Sequence, residues 1–212
     1  MYSIPLILSY DLIGSLIIFI ISYFSFKALR ITRLKIFFYM FLGFSLMSTG
    51  LMIHGIGLLI LLLSRPTMPL IAFLYPLLNR ISVVSEIVAY LLIAVGYSLQ
   101  VRHKEVMTFL AFLYPPRPRR LLPYLVTEQI LGDIISMFLL LYIVFHALII
   151  YRINKRRDSF LIFTGFLLIL LSHLISAITV LTRLELGLVI SKTTYFAALI
   201  SFLAMIVEVI RG

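Results

Sequence analysis

Residues 36–63 read IFFYMFLGFSLMSTGLMIHGIGLLILLL, a run without Asp, Glu, Lys or Arg. A helix rises about 1.5 Å per residue and the hydrocarbon core of a bilayer is about 30 Å thick, so about 20 apolar residues suffice to cross it. This run is longer than that and fits a tilted membrane helix. Outward from it lie five further runs of the same kind: Pro5 to Phe26, Ile81 to Val101, Glu128 to Ile150, Ser159 to Leu181 and Leu188 to Ile210. The segments between them differ in character. Lys27, Arg30, Arg33 and Lys35 make a basic turn before the quoted run. Arg152, Lys155, Arg156 and Arg157 make a second one. Ser64 to Arg80 is interrupted by Pro66, Pro69 and Pro76, and its apolar stretch Leu70 to Leu78 is too short to cross, so it reads as a connector lying in the interface.

Composition supports the membrane reading. The 212 residues are 63% hydrophobic and 12% charged, with a mean hydropathy of +1.17. A soluble domain, about half apolar and a quarter charged, covers its core with polar groups that this chain lacks. The N-terminal run continues past Asp11 without a basic leader and reads as a retained helix. With no Trp in the chain, tyrosines are left to form the interfacial belt. With no Cys, disulfides, thiolate metal sites and thiol catalysis are excluded. The net charge of +10 would suggest nucleic acid in a soluble protein. Here the bases cluster between spans, where anionic lipid headgroups are the natural partner. The headgroup candidates are Arg30, Arg33, Lys35, Arg117, Arg119, Arg120, Arg152, Lys155, Arg156 and Arg157, and no nucleic-acid role is expected.

The expected fold is therefore an all-α polytopic membrane protein of the cell membrane, with six transmembrane helices. Pro115-Pro116-Arg117-Pro118-Arg119-Arg120 cannot continue a helix and is costly in lipid. It divides the chain into a first three-helix unit (1–101), a basic Pro/Arg linker (102–124) and a second unit (125–212). The units look alike. Arg30-Ile31-Thr32-Arg33 matches Arg152-Ile153-Asn154-Lys155, and Gly43-Phe44 matches Gly165-Phe166, both 122 residues apart. Ile13-Gly14-Ser15 matches Leu131-Gly132-Asp133 at a separation of 118, which implies a four-residue insertion in the fourth helix. Three spans per unit would invert the second repeat, as in many transporters, and put the two basic turns on opposite sides.

Few residues can carry chemistry. There is no phosphate loop, paired-His zinc motif or nucleophile elbow, so no catalytic residue, resident metal or enzyme activity is expected. Lys192 lies too near a helix start for a retinal Schiff base. Asp11 and Asp133 lie near helix starts, where water or the positive helix end satisfies them. Ionisable groups deep in a bilayer are costly and point to function. His54, Glu86 and His173 are the deep ones, and His54 and Glu86 sit at one depth on consecutive antiparallel spans, as if to pair. They are the candidates for binding an ion, proton or small solute in a transporter- or channel-like protein. The alternative is a non-catalytic subunit or sensor, packing in a homo-oligomer or larger membrane complex through the small-residue stripe Gly43, Gly50 and Gly57. A third option is a haem b electron-transfer subunit, with His54, His146 and His173 as the axial candidates.

Overall fold

The computed structural model describes residues 3–64, 68–100, 124–182 and 185–211. Arg117, Arg119 and Arg120 lie outside them. The described residues form six helices: α1 (Ser3–Thr32), α2 (Lys35–Ser64), α3 (Met68–Gln100), α4 (Tyr124–Asn154), α5 (Arg157–Thr182) and α6 (Glu185–Arg211). All six are long and apolar enough to cross a membrane, and only 28 to 39% of each span is buried. The remainder faces outward and is apolar: Phe19, Phe138 and Ile200 are each more than half exposed. Such a surface is compatible with lipid and not with water. The chain is a multi-pass integral membrane protein.

The helices close a ring in chain order, each packed on the next, with α6 returning to α1. Polar glue joins neighbours where the backbones are close. Ser48 donates to the Ser15 carbonyl (2.8 Å), tying α2 to α1, and Ser191 donates to that of Ser172 (3.0 Å), tying α6 to α5. The two basic turns end their helices in the same way. Arg33 (φ 56°) and Lys155 (φ 50°) are left-handed, and their N–H groups reach back to the Leu29 and Tyr151 carbonyls.

Two expectations are corrected by this arrangement. The first is the connector from Ser64 to Arg80, which was expected to lie in the interface. Instead α3 runs unbroken from Met68, with Pro76 inside it. Pro69 falls in the first turn, where a missing N–H costs nothing, and a single proline within a membrane helix is tolerated by its packed neighbours.

The second is the expected inversion. Val83 packs against Gly132, and fifteen residues on Ser98 hydrogen-bonds the Tyr142 hydroxyl (2.7 Å), so α3 and α4 run in the same direction. The starts of α1, α3, α4 and α6 meet the ends of α2 and α5 around one cavity. The opposite ends of all six surround another. Helices α4–α6 thus repeat the directions of α1–α3, and both basic turns lie at one end of the bundle. The inversion rested on the end of the third helix and the start of the fourth sharing one face; the end of α3 and the start of α4 lie at opposite ends of the bundle.

Candidate functional site

The end of the bundle away from the basic turns holds a cleft of about 220 Å³. Two aspartates anchor it. Asp11, in the third turn of α1, is 2% exposed, and its Oδ2 accepts from His54 Nδ1 of α2 at 2.8 Å. Asp133, likewise in the third turn of α4, accepts from His173 Nδ1 of α5 at 2.9 Å and from the Ser176 hydroxyl at 3.1 Å. One buried carboxylate–imidazole pair therefore joins α1 to α2, and another joins α4 to α5.

Helices α3 and α6 each reach across to one of these pairs. Glu86 of α3 lies 3.3 Å from His173 Nε2, and Lys192 of α6 lies 3.4 Å from Asp11 Oδ1. Tyr90, one turn beyond Glu86, donates its hydroxyl proton to Glu86 (2.8 Å) while its oxygen sits 3.2 Å from His173 Nε2. With Glu86 and Asp133 both ionised, the tyrosine proton is committed to Glu86, His173 donates through Nε2 and Nδ1, and the ring is an imidazolium held between two carboxylates. His54 differs. Its Nδ1 faces Asp11, and its Nε2 is buried with no hydrogen-bond partner among the described residues.

The sequence-derived candidates thus meet in one place, with different partners from those expected. His54, Glu86 and His173 all line the cleft, but His54 pairs with Asp11 rather than Glu86. Glu86 serves His173 instead. The sequence reading passed over Asp11, Asp133 and Lys192 as helix-end charges. One signal was available: Asp11 and Asp133 are 122 residues apart, the separation of the two basic turns. The described residues contain no group of three or more His, Asp and Glu side chains arranged to hold a metal ion.

His146 stands elsewhere. It lies in α4 toward the basic end, stacked on the Tyr142 ring with its Nδ1 3.0 Å from the Tyr142 carbonyl. The haem pairing of His54 with His146 is therefore not brought together. The glycine stripe is occupied from within the chain. Gly43 faces Ala89 and Ile93, Gly50 faces Ser85, and Gly57 faces Leu78, all on α3.

Beneath the cleft the ring is filled by aromatic side chains. Phe44, Phe202 and Phe166 stack edge to face at 5.4 and 4.8 Å, and Tyr97 packs on Phe166 at 6.1 Å. Below Tyr97 a second cavity of about 360 Å³ opens between the two basic turns, lined mainly by apolar side chains such as Phe37, Met40 and Ile150. Comparison with protein-family profiles, curated proteins and solved structures finds no match.

Proposed function

We propose that this is a small transporter- or channel-like protein of the cell membrane. It takes a small cation, proton or polar solute into the cleft between its two three-helix units. The observation that carries this reading is the convergence of three carboxylates, two imidazoles and one ammonium on a single cleft inside an apolar bundle. Desolvated charge is retained in a membrane where it meets a ligand or a proton path. The in-line placement of two cavities around an aromatic barrier adds support, since a solute entering from one end meets a plug that must part to release it at the other. The alternative of a docking subunit has less to stand on, because the stripe of Gly43, Gly50 and Gly57 already seats α3.

The two units are, on this reading, a tandem duplication in parallel, a symmetry also used by transporters. At the single offset of 122, Asp11 falls on Asp133, His54 falls on Ser176, and Arg33 falls on Lys155. Ser176 bonds to Asp133 as His54 does to Asp11. No insertion in α4 is then needed.

The test is solute and proton flux in proteoliposomes. His54→Ala and His173→Ala should each lower flux at least tenfold, while His146→Ala, remote from the cleft, should leave it near normal. Normal flux in both cleft variants would remove the site from the mechanism.

A further inference from the structure

We infer that the cleft's ligand is a small primary ammonium compound whose N–H group is accepted by His54 Nε2; this rests on the transport reading above and names its substrate class. Four observations converge on that chemistry.

The first is charge. The lining carries three carboxylates, Asp11, Glu86 and Asp133, against the ammonium of Lys192 and the two imidazoles of His54 and His173, so with His173 protonated and His54 neutral one negative charge is left uncompensated. In a site shielded from water, an uncompensated charge selects a ligand of opposite sign.

The second is the orphan nitrogen. Asp11 faces His54 Nδ1, and an imidazole that carries its one proton there keeps a lone pair on Nε2. That atom is buried without a partner among the described residues, in a side chain only 7% exposed overall. A buried, unsatisfied acceptor is costly and asks for a donor. A bare metal cation of the alkali series brings a charge but no proton; an ammonium brings both.

The third is the wall. Tyr10, Tyr75, Tyr195 and Phe196 line the same space. Aromatic faces attract organic cations and shelter their alkyl groups. Tyr75 is 43% exposed and its ring lies 6.4 Å from the His54 ring, so this wall also borders the orphan imidazole.

The fourth is size. About 220 Å³ is below the range of pockets that hold drug-sized ligands. It suits an amine of a few heavy atoms. The protein already displays the interaction: Lys192 places a primary ammonium 3.4 Å from Asp11.

The experiment is calorimetric titration of the detergent-purified full chain at pH 7 with methylammonium, tetramethylammonium and potassium chlorides. Methylammonium should saturate one site and bind at least tenfold more tightly than the other two. Tetramethylammonium has the charge and no N–H, so equal affinity for it overturns the assignment to His54. His54→Phe should weaken methylammonium at least tenfold and leave tetramethylammonium unchanged. Lys192→Met frees Asp11 for an exogenous ammonium, and should tighten methylammonium at least tenfold; no change there also counts against the site. The wild-type ligand series stands without either variant, should one of them fail to fold. Failure here is separable from failure of the transport reading. If none of the three cations binds while flux still depends on His54 and His173, the ammonium class is wrong and the transport site stands. If methylammonium binds as described while both flux variants are normal, the binding site stands and transport through it is wrong.

Discussion

Asp133 serves two neighbours at once, and the energetics of the cleft turn on such sharing. Its carboxylate accepts from His173 and Ser176, and His173 passes its second proton toward Glu86 and Tyr90. Removing one member strands a charge in a medium that solvates it poorly, so single losses are expected to be larger than any one bond suggests. Interhelical hydrogen bonds in membranes couple by about 0.6 kcal/mol on average and up to about 1.7. A pair in which both partners are ionised belongs at the upper end. Asp133→Leu and His173→Leu should each lower unfolding stability, and the double variant should lose less than the sum by about 1 kcal/mol or more. Denaturant unfolding in detergent micelles reads this directly, and additive losses would mean that the pair is not a unit. The histidines and Glu86 were legible in the sequence because they fall deep within apolar runs. Their aspartate partners were not. A carboxylate near a helix start has an innocuous explanation in the helix dipole, and only the fold turns that helix end toward a histidine.

At the scale of the element, α2 is the helix whose sequence says most about its packing. Its small residues remove side-chain bulk along one stripe, and α3 fills the space. A Cβ at Gly43 would stand 2.9 Å from the Ala89 carbonyl oxygen, which is backbone and has no rotamer to change. Gly43→Ala should therefore push α3 away and cost about 1–3 kcal/mol, the range for overpacking. Gly14 on α1 is the control. Its Cβ would meet nothing nearer than 4.0 Å, on the Phe196 ring, so Gly14→Ala should be neutral or gain up to about 1 kcal/mol from helix propensity. Melting in detergent separates the two, and equal shifts would refute the close approach of α2 and α3. The length of α3 shows why depth is hard to read from sequence. Three prolines suggested that its span begins at Ile81, which sets Glu86 off-centre. The helix instead begins at Met68, and among the described residues it is long and apolar enough to cross from Phe73 to Leu99, which sets Glu86 well inside it. A single proline, Pro76, was read as a break where the helix runs on.

For the whole molecule, the six spans were legible because hydrocarbon thickness fixes the length of an apolar run. The direction of the second unit was not, because direction depends on which face the 101–123 segment leaves and which it reaches. The charge count gave no warning, since basic turns placed on opposite sides nearly balance. With α4–α6 parallel to α1–α3, the balance is gone. Lys27, Arg30, Arg33 and Lys35 join Arg152, Lys155, Arg156 and Arg157 at one end, while the described cleft end carries Arg80 and Lys192. Counted over the described residues, the positive-inside rule predicts that the basic turns face the cytoplasm and that the cleft opens to the outside. The natural absence of cysteine makes the test clean, because any introduced thiol is the only one. Leu34→Cys and Arg156→Cys sit in the two basic turns, and Ser64→Cys ends α2 at the cleft end. A membrane-impermeant maleimide added to intact cells should label Ser64→Cys at once, and label the other two only after permeabilisation. Protection of both basic turns from the same side is the decisive result. If Leu34→Cys and Arg156→Cys reacted from opposite sides, α1 and α4 would run antiparallel, the two Asp–His pairs could not share a cleft, and the ammonium site built on them would fall with it.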